Sequence, residues 1–300
     1  MTGLPVTPVC IGCAPLGDMP ATFTYSVSEE QALATLRAVF GGPFNFLDTA
    51  ASYGDGESER RIGLALREID GLPADVVLGT KADRDLASGD FSGDQMKRSV
   101  ERSLRLMGLD RLQLVYLHDP ELIPFEAAMA RGGPADVLLR LKAEGVIGHV
   151  GVAGGPIDLM IRYVETGAFE AVITHNRYTL IDRSAEPLLE AASRRGLGIS
   201  NAAPYGSGIL AKGADQYPRY MYGQATDAQL AQVRRIEAVC RRHAVPLAAA
   251  ALQFSLRDPR VSATIIGMSK PERIAETAAL ASQPIPAALW AEIDTALAGA

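Results

Sequence analysis

The sequence is short of cysteine. Its 300 residues contain three. An odd number cannot all pair, and a chain of this length needs no disulfide scaffold. Cys10 and Cys13 stand in a C-x-x-C spacing, but Val9-Cys10-Ile11-Gly12-Cys13 reads as a strand entering a turn. Redox pairs of this spacing sit at a helix N-terminus. Residues three apart on a strand point to opposite faces. A zinc site needs a second ligand pair of suitable spacing, and the sequence offers none, so no metal is expected. The cysteines read as small buried hydrophobes. Long apolar runs are also missing. The longest, Ala244 to Phe254, contains Pro246 and Gln253 and falls short of the roughly 18 residues of a spanning helix. Basic runs are absent too. Lys and Arg number 29 against 35 Asp and Glu, a net charge of −6, which suits nucleic acid poorly. Met1 to Pro8 lacks the basic start and apolar core of a signal peptide. A cytoplasmic protein is expected, with no membrane and no nucleic-acid partner.

What is present is ordinary in bulk: 48% hydrophobic and 21% charged residues, values of a folded globular chain. Length alone gives a prior of two domains, yet one α/β barrel routinely uses about 250 residues. Short apolar runs alternate with helical patterns. The runs are Pro8–Gly12, Phe44–Leu47, Val76–Leu78, Leu112–Leu117, Ile147–Val152, Ala171–Thr174, Leu197–Ser200 and Ser262–Ile266. Between them, helices are expected from Ser28 with Gln31 as a capping box, over 57–69, from Ser92 with Gln95, and over 135–143, 157–166, 185–194 and 271–281. A terminal helix follows Pro286. The runs are continuous rather than alternating, as in strands buried on both faces. The pattern predicts a (β/α)8 TIM barrel, a single domain over residues 1–300. The stretch Ala202–Asp227 is too long for an ordinary connection and reads as a functional loop after strand seven. A doubly wound sheet is the competing fold. Strand one is followed by Gly12-Cys13-Ala14-Pro15-Leu16-Gly17, which lacks the middle glycine of a dinucleotide turn.

Barrel active sites lie at the C-terminal ends of the strands. Asp48 and Tyr53 follow strand two, Lys81 follows strand three, and His118 ends strand four, with Asp119 next. That set suits proton transfer coupled to hydride transfer. A tyrosine near pKa 10 exchanges protons poorly at neutral pH. An ammonium such as Lys81 lowers that value, Asp48 would hold the ammonium, and His118 could orient a substrate oxygen. Each residue alone also has a plain reading: a turn cap, a packing aromatic, a solvated strand end, a loop histidine. Four on one rim favour function.

Phe46-Leu47-Asp48-Thr49-Ala50-Ala51-Ser52-Tyr53-Gly54, then Glu57-Ser58-Glu59, Gly79-Thr80-Lys81 and Leu114-Val115-Tyr116-Leu117-His118 resemble the aldo-keto reductase family, in order and spacing along essentially the whole chain. The resemblance implies Tyr53 as general acid/base, Lys81 and Asp48 as its tuning pair, and His118 as the carbonyl-orienting residue. It implies a nicotinamide dinucleotide across the barrel mouth. Asp48, Gly12, Asn176 and Asn201 would contact its nicotinamide half. Gly206, Ser207 and Leu210 match the loop over the pyrophosphate, and Gly267, Arg273 and Glu276 the adenosine-phosphate segment. Tyr205 would join Tyr53 and His118 at the substrate. Many relatives stack a tyrosine just after strand seven, where this chain has Ala202. Tyr217, Tyr220 and Tyr222 would either close over the substrate or anchor the loop. Gly267 and Met268 stand where relatives that prefer NADP commonly carry a lysine and a hydroxyl, so NAD is favoured over NADP.

Asn176-Arg177-Tyr178-Thr179-Leu180 and Asn201 through Leu210 are most similar to the aldose-dehydrogenase branch. The implied reaction oxidises an aldose hemiacetal of the L-fucose or D-threo-aldose type at C1 to the lactone, with hydride passing to NAD. Alternatives are the pyridoxal 4-dehydrogenase reaction, NADPH-dependent reduction of aldehydes or ketones, and a non-enzymatic cofactor-binding regulatory subunit. The partners implied are a small sugar or aldehyde substrate and a monomer or weak homo-oligomer.

Overall fold

A computed structural model describes residues 2–298. Eight parallel strands close into a barrel: β1 (Val9–Gly12), β2 (Phe46–Asp48), β3 (Val77–Ala82), β4 (Leu112–His118), β5 (Ile147–Ala153), β6 (Ala171–His175), β7 (Gly198–Ala202) and β8 (Ala263–Gly267). Each strand pairs with its sequence neighbours, and β8 closes on β1 through Val9 opposite Thr264 and Gly12 opposite Gly267. The expected TIM barrel is therefore what forms.

The two-residue period of a strand divides the side chains between the barrel interior and the surrounding helices. Cys10, Phe46, Val77, Leu114, Tyr116, Ala171, Ile173, Ala263 and Ile265 fill the interior, with Leu4 and Val6 packed against them. Val9, Ile11, Leu47, Leu78, Val115, Val172 and Ile199 join the outer core. Cys10 faces inward, whereas Cys13, just past the strand, joins the outer core. Both thiols are free and buried, and burial holds each well above its ordinary pKa.

The surrounding helices are α1 (Glu29–Phe40), α2 (Glu57–Glu68), α3 (Gly93–Met107), α4 (Pro134–Ala143), α5 (Ile157–Glu165), α6 (Glu186–Arg194), α7 (Asp227–Arg242), α8 (Leu247–Leu256), α9 (Glu272–Ser282) and α10 (Ala287–Ala298). Two of these, α7 and α8, depart from the sequence reading. The α8 segment is apolar on all sides and alanine-rich, so it shows no helical stripe. It is buried at Ala249, Ala250, Ala251 and Leu252. The α7 start did carry a signal, the capping box of Thr226 and Gln229. At α1, Ser28 accepts from the Gln31 backbone N–H at 3.2 Å. The Gln31 side chain does not complete the box. It donates to the Ser269 carbonyl at 2.6 Å and ties α1 to the loop after β8. The stretch after β7 is also more ordered than a plain loop. It holds short helical turns over Gly206–Gly208 and Ile209–Lys212 and a small hairpin pairing Arg219–Tyr220 with Gly223–Gln224.

Candidate active site

The same alternation that fills the interior decides what faces the barrel mouth. Stepping by two from inward residues reaches Gly12, Asp48, Lys81, His118, Ala153, His175, Ala202 and Gly267. From β2, β3, β4 and β6 the mouth receives ionisable side chains. From β5, β7, β8 and β1 it receives alanine or glycine. One side of the mouth is reactive and the other leaves room for a flat group.

Lys81 is buried, and its Nζ donates to Asp48 Oδ2 at 2.7 Å, to the Thr49 carbonyl at 2.7 Å and to Tyr53 Oη at 3.1 Å. Burial opposes the charge on Lys81, but Asp48 and the Tyr53 hydroxyl outweigh it and hold the ammonium above its usual pKa. Burial raises Asp48 above the ordinary carboxylate range, against the pull of Lys81. At Tyr53 the ammonium acts in the expected direction but does not decide the balance. Burial raises its hydroxyl above the usual value, and the opposing pull of Lys81 is the smaller effect. The phenol is thus held as an acid.

His118 meets the Tyr53 ring edge to face, with centroids 5.9 Å apart. Its Nδ1 lies 2.6 Å from Asp83 Oδ1. A carboxylate only accepts, so Nδ1 carries the proton there and Nε2 is left for the mouth. Burial works against a charged His118, and Asp83 more than offsets it, raising the imidazole pKa. Asp83 itself is penalised by burial, yet His118 and Ser52 hold it below its usual range. The Ser52 backbone N–H donates to Asp83 Oδ2 at 2.8 Å. Sequence reading missed Asp83. The available signal was its position two residues beyond Lys81, on the same face.

The Glu57-Ser58-Glu59 segment at the start of α2 braces this rim. Ser58 Oγ donates to the Cys13 carbonyl at 2.9 Å and lies 2.8 Å from Thr49 Oγ1. Thr80 Oγ1 donates to Glu59 Oε1 at 2.6 Å. Arg61 is buried and donates to the carbonyls of Leu16 and Val27 at 2.7 and 2.8 Å, fixing the loop after β1. Gly54 has a φ of 62°, and a Cβ there would stand 1.9 Å from the Gly17 carbonyl oxygen. That close approach seats the turn bearing Tyr53.

His175 was also missed. It ends β6 on the inward face after Ala171 and Ile173. Burial, helped by Arg177, lowers its pKa to about 4, so it stays neutral. Asn176 follows with a φ of 58°. It is 1% exposed, and both side-chain amide atoms lack a well-formed hydrogen bond. Buried amides are normally satisfied, and one left open fits the carboxamide of a nicotinamide. With small residues at Gly12, Ala202 and Gly267, the mouth accommodates that group.

Two residues expected at the cofactor, Asn201 and Leu210, have other partners in the structure. Asn201 does not face the mouth. It alternates outward, and its Nδ2 donates to the Tyr178 carbonyl and to Ser255 Oγ, both at 2.8 Å. It ties β7 to α8. The Leu210 side chain is fully buried in the outer core, and its backbone N–H is taken by the Tyr205 carbonyl at 3.1 Å. Tyr205 is buried in the outer core. Gly206 and Ser207 keep left-handed φ values of 53° and 63° at the rim. Arg273 is half-buried at the start of α9, and Glu276 is exposed one turn on.

A closed parallel barrel with a buried Asp–Lys–Tyr chain and a His at its mouth defines an oxidoreductase of the aldo-keto type. The sequence pattern of the aldo/keto reductase family matches residues 8–298, and this chain belongs to that family. Aldo-keto reductases use NAD(P)H. A D-threo-aldose 1-dehydrogenase from a Pseudomonas species is 34% identical over 97% of this chain and 94% of its own length. An L-galactose dehydrogenase from Arabidopsis thaliana is 28% identical over 94% and 86%. A pyridoxal 4-dehydrogenase from Microbacterium luteolum is 30% identical over 96% and 93%. The solved structure of an aldo-keto reductase from Bacillus halodurans superposes with a TM-score of 0.78 at 23% identity, covering 97% of this chain and 92% of that one. It shares the fold.

Proposed function

We propose that this protein is a dehydrogenase that oxidises the cyclic hemiacetal of an aldose at C1 to the lactone. The observation that carries the reading is the chain Asp48–Lys81–Tyr53, with contacts of 2.7 and 3.1 Å, beside a His118 oriented by Asp83. When bound, the nicotinamide supplies the hydride acceptor for the C1 hydrogen. Tyr53 takes the hydroxyl proton as the carbonyl forms, and it must be ionised to do so. Lys81 stabilises that phenolate, and Asp48 holds the ammonium in place. In its doubly protonated form, which Asp83 favours, His118 donates from Nε2 to the substrate oxygen and fixes its position. In the reverse direction the protonated phenol is the acid. Asn176 would hold the carboxamide, and Gly206, Ser207 and Arg273 the phosphate end.

NAD is the preferred acceptor in this reading. Gly267 has no side chain and Met268 is fully buried, so those two positions offer neither a cation nor a hydroxyl to a 2′-phosphate, which leaves Arg273 and Lys270 as the cations that would hold one. The relatives named for D-threo-aldose and L-galactose support a sugar. Pyridoxal is the second reading, because it too presents a cyclic hemiacetal and a 30% identical relative is named for it. The test is a panel of L-fucose, D-arabinose, L-galactose and pyridoxal, with NAD and NADP side by side, following formation of the reduced nicotinamide. Turnover is expected with a sugar and NAD. Turnover of pyridoxal alone would replace the sugar, and none with any hemiacetal would remove the dehydrogenase reading.

A further inference from the structure

Asp119, the residue after His118, is held in a costly backbone conformation. Its φ and ψ are 46° and 51°, left-handed values that aspartate tolerates and most residues avoid. Pro120 follows, and a residue before proline normally stays extended. Two backbone bonds keep Asp119 there. Its N–H donates to the Ala153 carbonyl at the end of β5 at 2.8 Å, and its carbonyl accepts from the Leu122 N–H at 3.1 Å. Strain of this kind persists where the surroundings over-determine it, and it gathers at binding sites.

The result is a carboxylate at the mouth. Asp119 Oδ1 lies 3.8 Å from His118 Nε2, the nitrogen left for the mouth because Nδ1 is taken by Asp83. That distance is beyond a hydrogen bond. Among the described residues this contact is the only ion pair of Asp119, its carboxylate accepts no hydrogen bond, and its side chain is 45% exposed. A free acceptor therefore stands beside the donor that holds the substrate oxygen.

The reacting hydroxyl at C1 of a cyclic aldose has a second hydroxyl beside it on C2. Vicinal ring oxygens stand about 3 Å apart, near the length of one hydrogen bond. With the C1 oxygen on Nε2, the C2 hydroxyl reaches Asp119. Nε2, the two sugar oxygens and Oδ1 then form a four-sided ring of contacts, and the 3.8 Å edge is the one left without a direct bond. The C2 hydroxyl takes no part in hydride or proton transfer, so the contact selects and orients without entering the chemistry. We propose that Asp119 is a specificity-determining residue that accepts a hydrogen bond from the C2 hydroxyl, so that the site reads a 2-hydroxy hemiacetal rather than any cyclic hemiacetal. The inference rests on the reaction centre of Tyr53 and His118 and on the sugar reading proposed above.

The test follows formation of reduced nicotinamide by wild type, Asp119→Asn and Asp119→Gly. The substrates are L-fucose with 2-deoxy-L-fucose, and D-arabinose with 2-deoxy-D-ribose, which is D-arabinose without its C2 hydroxyl. Asparagine keeps an acceptor oxygen without the charge, and both replacements tolerate the left-handed backbone. In wild type, kcat/KM is expected to be about 10–100-fold higher for a sugar than for its 2-deoxy form, the effect of one hydrogen bond to a charged group. In Asp119→Gly that ratio should fall by about tenfold or more, with Asp119→Asn between the two. An unchanged ratio in a working Asp119→Gly enzyme overturns the inference and leaves the dehydrogenase reading intact. That result would mean that Asp119 only adds charge beside His118, which affects both sugars alike. Equal kcat/KM for a sugar and its 2-deoxy form in wild type overturns it without any variant. A wild type that oxidises none of these sugars overturns the sugar reading and this inference together.

Discussion

Glu59 is a carboxylic acid that folding forces to hold its proton, and replacing it should change how stability depends on pH. The residue is fully buried on α2. Its Oε1 accepts from Thr80 Oγ1 at 2.6 Å, whereas Oε2 has no partner. Burial is the main cause of a pKa raised from 4.5 to about 7, against smaller opposing help from Thr80 and Ser103. A folded pKa above the unfolded one means that the native state binds the extra proton between those values. Stability from this group is full below about pH 4.5 and is lost as pH rises through about 7. The rise from 4.5 to about 7 corresponds to roughly 3–4 kcal/mol at about 1.4 kcal/mol per pH unit. Glu59→Gln keeps an acceptor for Thr80 and removes the titration. Urea unfolding followed by circular dichroism at pH 5 and pH 8 would measure both proteins. Most of the rise falls inside that window, so the variant is expected to gain on wild type by roughly 2–3 kcal/mol between the two pH values. An equal stability gap at both would refute a protonated Glu59 in the native state.

The site makes four further predictions. Tyr53→Phe should lower kcat by about 10²–10⁴-fold while titration of the dinucleotide, followed by protein fluorescence, shows little change in affinity. Because burial holds the Tyr53 hydroxyl above its ordinary pKa, hemiacetal oxidation should accelerate as pH rises and carbonyl reduction should not. Lys81→Met, which removes the opposing cation, should push the rising limb of a kcat/KM profile to still higher pH. Asp83→Asn removes the charge that raises His118; the imidazole titration followed by NMR should move down, with a loss of kcat/KM.

Strand ends were readable because a parallel barrel buries both faces of each strand, leaving apolar runs that stop where the mouth begins. Asp48, Lys81 and His118 stood out for that reason. The next step, deciding which way each side chain points, needs the exact register, and an error of one residue reverses the face. Asn201 shows the cost. It looks like a mouth residue by proximity, yet Ser200 and Ala202 take the inward positions. Counting by two from Ala171 and from Lys81 would have found His175 and Asp83. Helix α8 was hidden because a helix buried on all sides has no polar stripe. The path of the chain after β7 depends on long-range contacts such as Tyr220 to Asn176, 44 residues apart, which no local pattern encodes.

The residues proposed for proton transfer and those proposed to hold the dinucleotide also separate in time along the chain. Asp48, Tyr53, Lys81, Asp83 and His118 all fall on β2, β3, β4 and the turns that follow them, so a ribosome has made the complete proton-transfer set before it reaches β5. Asn176, the loop after β7 and Arg273 come later. The two sets meet where barrel closure joins β1 to β8 and where β4 pairs with β5. Substitutions in the later half should therefore alter how the proposed dinucleotide is held without touching the residues proposed to move the proton, which are translated first.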